Sequence, residues 1–113
     1  MKHSAEYYIE HLEMEPHVEG GYFKECLLEK EERNLWSSIY FMLAKGEVSH
    51  FHRLKSDEVW YYHDGNALTI YMIDEAGKLT AAKLGLDLEK GEVPQVLVPK
   101  GMIFGSAMEE EGF

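Results

Sequence analysis

Turn-forming residues interrupt this chain about every ten residues from Gly20 onward. Between the turns lie short segments rich in aromatic and β-branched residues, which favour strands. Many short strands joined by glycine-rich turns are typical of a β-sandwich or β-barrel. No second helical segment of useful length separates them, which argues against an alternating α/β architecture. The predicted strands cover residues 21–28, 35–44, 47–53, 57–63, 67–74, 78–84, 93–98 and 102–108.

The first sixteen residues differ from the rest because they carry a helical pattern. Ser4 can cap a helix that extends to about Met14, with apolar residues along one stripe. Pro16 ends this helix, since proline disfavours helical backbone at the residue before it. A chain of 113 residues is long enough for one core and too short for two. We therefore expect a single domain, with a helix and lead-in over 1–16 and a barrel over 17–113.

The net charge of −10 constrains the class of partner. An acidic surface repels phosphate backbones, so nucleic acid is not an expected partner. No segment approaches the ~18 consecutive apolar residues of a membrane helix, and the first residues lack the apolar core of a signal peptide. Cys26 is the single cysteine, so an intrachain disulfide cannot form. These features favour a cytoplasmic protein without a membrane partner.

The densest group of chemically useful side chains lies within residues 46–65. His50 and His52 are two residues apart, so on a regular strand they share one face. Glu58 opens the next strand. A histidine beside a carboxylate can act as a proton-transfer base, because the carboxylate fixes the tautomer and stabilises the imidazolium. The same three side chains can alternatively hold a divalent metal and leave positions open for substrate.

The strand that Glu58 opens has two different faces. Alternation places Trp60 and Tyr62 on the same face as Glu58, toward the interior. The outward-facing apolar residues of this strand and the preceding one are Phe51, Val59 and Tyr61. Because an apolar patch of more than a few hundred Å² is usually an interface, we expect a homodimer.

Four blocks of sequence, spread in order over residues 17–101, carry a family pattern. They contain the Gly20-Gly21 pair, the aromatic segment 38–43, His52 with Glu58, and the turn Pro99-Lys100-Gly101. Together they resemble the cupin superfamily in its dTDP-sugar epimerase-like branch. More narrowly, they resemble a bacterial and fungal cupin family whose biochemical function is not established. The resemblance implies an all-β, cupin-type jelly-roll barrel with a short N-terminal helix and a ligand pocket inside the barrel.

The sequence departs from the general cupin motifs at positions that concern a metal. Fewer residues than usual separate Gly46 from His50, and more than usual separate His52 from Glu58. Phe104 stands where the second motif places a further histidine ligand. The resemblance therefore favours a metal-free polar cluster centred on His52 and Glu58. A divalent-metal site of His50, His52 and Glu58 is the alternative.

The resemblance and the aromatic strands predict a pocket for a small polar metabolite, either sugar-like or nucleotide-like. We expect His52 and Glu58 to be the catalytic pair if the protein is an enzyme. An isomerase or epimerase activity stays open, and the alternatives are a metal-dependent enzyme and a non-catalytic interaction module. The predicted ligand-binding residues are Glu19, Tyr22, Tyr40, His50, Trp60, Tyr62, Gln95 and Phe104.

The family pattern continues past the turn at Pro99-Lys100-Gly101 into a further hairpin and strand, whereas this sequence ends at Phe113. The resemblance therefore implies a barrel without its last strand or strands, with truncation of the natural sequence as an alternative cause. Such a barrel is either open at one edge or closed by a second chain, since an unpaired edge strand invites pairing.

Overall fold

The computed structural model describes residues 3–30 and 34–113. In this part of the chain, one short helix precedes ten strands, and a turn of 3-10 helix at Leu88–Lys90 lies between the seventh and eighth strands. The longer strands follow the predicted segments, which confirms the all-β prediction. The elements are α1 (Ala5–His11), β1 (Glu15–Pro16), β2 (Tyr22–Lys30), β3 (Asn34–Met42), β4 (Val48–Arg53), β5 (Glu58–Tyr61), β6 (Leu68–Ile73), β7 (Leu79–Leu84), β8 (Glu92–Val93), β9 (Gln95–Val98) and β10 (Ile103–Ala107).

Helix α1 begins where it was predicted and ends earlier. The side chain of Ser4 accepts a hydrogen bond from the backbone N–H of Tyr7 at 3.2 Å, as an N-cap does. The predicted end at Met14 is wrong, because Glu13 adopts a φ of 54° and turns the chain out of the helix. Among the described residues, no helix is long and apolar enough to span a bilayer.

The strands form three hydrogen-bonded sheets. One sheet has the order β1-β2-β3, the second β4-β10-β6-β7-β8, and the third pairs β5 with β9. All pairs are antiparallel except β7 with β8, which run parallel after the 3-10 turn between them. Within the residues that the structure describes, backbone pairing runs along each sheet and does not join the three into one closed ring.

The central core contains side chains of the five-stranded sheet and of β9. Phe104 and Ile70 are its most deeply buried large members, at 1% and 0% exposure. Burial of such a side chain contributes about 1.5–3 kcal/mol to folding. From β9, alternation sends Val96 and Val98 into this core and leaves Leu97 outside. The remaining buried members of the core are Leu43, Leu68, Leu84 and Met108.

A second, smaller core seats the N-terminal helix. Met14, Met42 and Phe113 are buried there, and Tyr8 of α1 packs against them. The backbone of Phe113 is fixed as well, because its carbonyl oxygen accepts from the N–H of Asn66 at 2.7 Å. This segment therefore links the helix to the loop between β5 and β6.

The outer face of the β5–β9 pair is apolar. Val59 pairs with Leu97 across the two strands, and Tyr61 stands next to them at 59% exposure. Phe51 of β4 is exposed at 53%. These residues are outward, as alternation predicts, and the homodimer inferred from them stays a prediction.

Candidate functional site

Strand β5 places a carboxylate and an indole side by side. Glu58 and Trp60 are half-buried, while Val59 is exposed, so the predicted alternation is confirmed. The indole nitrogen of Trp60 donates to Oε2 of Glu58 at 2.7 Å. The Trp60 ring meets Phe41 of β3 edge to face, with 5.5 Å between the ring centroids. Aromatic contacts of this kind hold the indole in place beside the carboxylate.

The Glu58 carboxyl group lies in a partly desolvated environment. Burial raises its pKa above the ordinary value, because the charged form loses solvation. The Trp60 hydrogen bond and the nearby imidazoles of His52 and His17 act in the opposite direction and favour the carboxylate. Two histidines therefore lie close enough to Glu58 to influence its ionisation.

The His52 ring is held between a phenyl ring and a backbone carbonyl. His52 pairs with Phe104 of β10, and the two ring centroids are 4.4 Å apart. Its Nδ1 lies 2.8 Å from the carbonyl oxygen of His50. A carbonyl oxygen only accepts, so Nδ1 carries the hydrogen. In the neutral ring, Nε2 is then left with its lone pair.

His17 joins this site from the segment before β2, and sequence reasoning missed it. Its Nδ1 accepts a hydrogen bond from the backbone N–H of Glu19 at 3.0 Å. The ring packs edge to face against Phe23 at 4.9 Å and Phe41 at 5.7 Å. The available signal was its place in the first family block, just before the Gly20-Gly21 pair.

The Gly20-Gly21 bend positions His17. The N–H of His17 donates to the carbonyl oxygen of Gly21 at 2.9 Å, and that of Gly20 donates to the carbonyl oxygen of His17 at 3.0 Å. Gly20 has a φ of 114°, and a Cβ there would overlap the carbonyl oxygen of Val48. Only glycine fits this conformation at this distance from β4. Because the bend lies so close to β4, the carbonyl oxygen of Glu19 also accepts a hydrogen bond from the N–H of His50 at 2.8 Å.

Five side chains, Glu58 included, make up what we call the Glu58 cluster. It combines one carboxylate, two imidazoles and two aromatic rings, contributed by four separate segments of the chain. Its members are His17, Phe41, His52, Glu58 and Trp60.

Comparison with known proteins places the chain in a family. A family model described as Cupin superfamily (DUF985) matches residues 6–113. The chain belongs to this cupin family. The family's biochemical function is unestablished, and the β-rich fold of the chain is a cupin fold. No curated protein matches the chain.

Two solved structures resemble this cupin closely. Protein SO0799 from Shewanella oneidensis is 57% identical, with a TM-score of 0.92, over 97% of this chain and 72% of that chain. A hypothetical protein from Leishmania major is 36% identical, with a TM-score of 0.83, over 93% of this chain and 70% of that chain. The fold is therefore shared by a bacterial and a protozoan protein.

The predicted shared face of His50 and His52 is interrupted by a β-bulge in this cupin. Phe104 pairs with His52 and Ser106 pairs with Ser49, so two β4 residues lie opposite the single residue between them in β10. The bulge shifts the alternation by one position. His50 is exposed, and its Nδ1 lies 3.1 Å from the carbonyl oxygen of Glu19. It does not join the Glu58 cluster.

The alternative metal site is not formed. Across residues 3–30 and 34–113, no group of three or more His, Cys, Asp or Glu side chains is arranged to hold a metal ion. The ring of His50 faces the Glu19 backbone, while His52 and Glu58 lie in the cluster. The donor set in the described residues does not fit the metal chemistry that the His-x-His pattern implied.

Three predicted ligand-binding tyrosines lie outside the Glu58 cluster. Tyr22 packs in the smaller core beside Met42, on the helix side of the β2–β3 hairpin. Tyr40 is 40% exposed, and alternation turns it to the face opposite Phe41. Tyr62 follows the face of Glu58 as predicted, but its hydroxyl donates to the carbonyl oxygen of Gly65 at 2.7 Å. That hydrogen bond gives Tyr62 a structural role at the end of β5.

Gln95, Phe104 and Glu19 complete the predicted set. Gln95 pairs with Tyr61 on the exposed face of the β5–β9 sheet, so it points away from the cluster. Phe104 is a buried core residue, and its ring contacts that of His52. Glu19 contacts His17 and His50 through its backbone N–H and carbonyl, and ligand binding by its side chain stays a prediction.

A separate cleft of about 220 Å³ opens on the five-stranded sheet. Cationic and anionic side chains are mixed in its lining, so no single ligand charge is favoured. The cleft does not include any residue of the Glu58 cluster. Its lining residues are Asn66, Ala67, Thr69, Lys83, Lys90, Glu92, Glu109 and Glu110.

Proposed function

We propose that this cupin binds a small polar metabolite at the Glu58 cluster. The observation that carries the proposal is a half-buried carboxylate, held by the Trp60 N–H, next to the imidazole of His52. Removing a carboxylate partly from water costs free energy. Folding alone does not require a carboxylate at this position. Perturbed ionisable groups that gather around a specific partner are typical of functional sites.

The surrounding side chains support a ligand with a ring and hydroxyl groups. Trp60 and Phe41 offer aromatic surface, on which the apolar face of a sugar or a base can rest. His52 and Glu58 offer hydrogen-bonding atoms beside that surface. Polar groups placed at a few points in an apolar site are what fixes the orientation of a small ligand.

If the bound ligand also reacts, proton transfer is the chemical step that this geometry favours. The Nε2 atom of His52 can accept a proton from a carbon next to a carbonyl, and Glu58 stabilises the resulting imidazolium. That step is the first half of an isomerisation or epimerisation. Neither Tyr40 nor Tyr62 supplies an acid for the second half, because the Tyr62 hydroxyl is hydrogen-bonded to Gly65 and Tyr40 faces away. Binding is therefore the function proposed first.

A thermal-stability screen with sugars and nucleotides tests the binding proposal. A ligand that binds only the folded state raises the melting temperature by mass action. We expect at least one compound to raise it in the wild type and to have no effect on His52→Ala or Glu58→Gln. His63→Ala is the matched control, because His63 is an exposed histidine outside the cluster. A response that survives both cluster substitutions would place the ligand elsewhere, and a screen without any response would reject the proposal.

Elemental analysis tests the metal-dependent alternative independently. The protein is purified without a tag, a chelator or added metal. Near-stoichiometric zinc, iron, manganese or nickel that disappears in His52→Ala would revive a metal site. If the protein is metal-free and takes up none of these ions when they are offered, the Glu58 cluster would be a site that binds its ligand without a metal.

A further inference from the structure

We infer that His17 and His52 present opposite tautomers to the Glu58 cluster, and that this donor–acceptor pair selects a neutral compound with a hydroxyl group next to a carbonyl group. The inference rests on the proposed function and narrows its ligand class. Within the cluster, it assigns His17 the role of hydrogen-bond donor. Two backbone contacts, one at each ring, carry the argument.

The backbone contact of His52 makes its outer nitrogen an acceptor. Nδ1 of His52 lies 2.8 Å from the carbonyl oxygen of His50. Because the carbonyl has no hydrogen to give, the ring must supply it from Nδ1. Nε2 of the neutral ring then has a lone pair, and no hydrogen bond to it occurs within the described residues.

The backbone contact of His17 has the reverse polarity. Its Nδ1 lies 3.0 Å from the backbone nitrogen of Glu19, which carries a hydrogen. Nδ1 must therefore be the acceptor, and the neutral ring holds its hydrogen on Nε2. The two histidines nearest to Glu58 thus expose one N–H donor and one lone pair. Each ring packs against an aromatic neighbour, Phe41 for His17 and Phe104 for His52.

One N–H donor next to one lone-pair acceptor is complementary to a hydroxycarbonyl group, which has an acceptor next to a donor. A ligand carbonyl accepts from Nε2–H of His17, while the neighbouring hydroxyl donates to Nε2 of His52. The Glu58 carboxylate and the net charge of −10 both disfavour an anionic ligand. The site therefore favours a neutral sugar-like compound over a nucleotide or a sugar acid.

The tautomers are measured directly by long-range ¹H–¹⁵N NMR of the imidazole rings. Spectra are recorded at a pH above which the ring signals no longer change, so that both rings are neutral. We expect the hydrogen of His52 on Nδ1 and that of His17 on Nε2. The same tautomer at both rings would overturn the inference without any reference to ligand binding, so its failure is distinct from failure of the proposed function.

The ligand class is tested with three small probes. Dihydroxyacetone carries adjacent hydroxyl and carbonyl groups, glycerol has no carbonyl, and glycerate is an anion. We expect dihydroxyacetone to shift the ring signals of both histidines at least threefold more than either of the other two at equal concentration. Equal responses to the three probes, or a larger response to glycerate, would overturn the ligand class.

Two substitutions at His17 separate a donor role from a packing role. His17→Gln can retain an N–H donor on its side chain, whereas His17→Phe keeps an aromatic ring and removes the donor. We expect the response of His52 to dihydroxyacetone to persist in His17→Gln and to fall at least tenfold in His17→Phe. An undiminished response in His17→Phe would show that His17 does not take part in recognition.

Discussion

The indole N–H of Trp60 donates to Oε2 of Glu58 across 2.7 Å, and this hydrogen bond favours the ionised carboxylate. Trp60→Phe keeps an aromatic ring beside Phe41 and removes the donor. We expect the pKa of Glu58 to rise further and the free energy of unfolding to fall by about 1–3 kcal/mol, the cost of an unpaired acceptor. Carboxyl ¹³C NMR and urea unfolding measure these two effects.

A double-mutant cycle separates the hydrogen bond from the packing of the ring. Glu58→Leu has no acceptor, so Trp60→Phe should cost clearly less in that background than in the wild type. An equal cost in both backgrounds would attribute the loss to the contact between Trp60 and Phe41 alone.

The raised pKa of Glu58 predicts how stability depends on pH. The folded state holds the proton more firmly than the unfolded state, so the contribution of Glu58 is complete below the unfolded pKa of about 4.3 and is lost as the pH rises through the folded pKa. Glu58→Gln does not titrate. We therefore expect its melting temperature, relative to the wild type, to increase with pH from about 4 and then to level off.

Glu75→Gln is the control for this pH dependence, because Glu75 is exposed in the turn between β6 and β7. Its melting temperature relative to the wild type should change little over the same range. If the Glu58→Gln difference were also flat, the Glu58 carboxylate would be as well solvated in the folded protein as in the unfolded chain.

The Gly20-Gly21 bend predicts a large difference between two glycine substitutions. Gly20 has a φ of 114° and no room for a Cβ beside the carbonyl oxygen of Val48, whereas Gly46 has a φ of 82° and open space. We expect Gly46→Ala to cost about 1 kcal/mol for the left-handed backbone. Gly20→Ala should cost about 3 kcal/mol or more, since the backbone must also move.

Urea unfolding measures both glycine variants, and NMR follows the ring of His17. The His17 signals should move in Gly20→Ala and stay in place in Gly46→Ala. If the two variants lost similar free energies of unfolding, the bend could change its conformation at little cost and would not fix the position of His17.

Phe113 is a buried residue outside the Glu58 cluster, and we expect stability to depend strongly on it. It is 8% exposed and packs with Met14 and Met42, while Phe51 is 53% exposed. Removal of a buried phenyl ring typically costs 3–5 kcal/mol, and we expect Phe113→Ala to cost about 2–4 kcal/mol. Phe51→Ala should cost less than about 1 kcal/mol. Urea unfolding compares the two, and a Phe113→Ala variant as stable as Phe51→Ala would contradict the buried position.

The sequence was sufficient for the features that depend on local rules. Ser4 caps the helix because its side chain needs only the N–H three residues ahead. Glu58 and Trp60 share a face because β5 is regular over its four residues. The sequence blocks also identified the cupin family, since their order along the chain is a property of the sequence itself.

The sequence was insufficient for the features that depend on tertiary contacts. The bulge in β4 is set by pairing with β10, a segment some fifty residues away, and it invalidated the shared face of His50 and His52. The outward position of Gln95 depends on its register opposite Tyr61. His17 was missed because nothing local shows that the Gly20-Gly21 bend carries it toward Glu58.

The bulge also means that β4 carries one residue more than its pairing with β10 uses. Ser49 and His52 both pair with buried residues of β10 although they are three apart in sequence, so the two halves of the strand are out of step by one residue. Deletion of either His50 or Phe51 would remove that extra residue and restore a regular ladder, in which Ser49 and His52 still pair with Ser106 and Phe104. One missing codon at this point would therefore remove the bulge and leave His52 beside Phe104 within the Glu58 cluster.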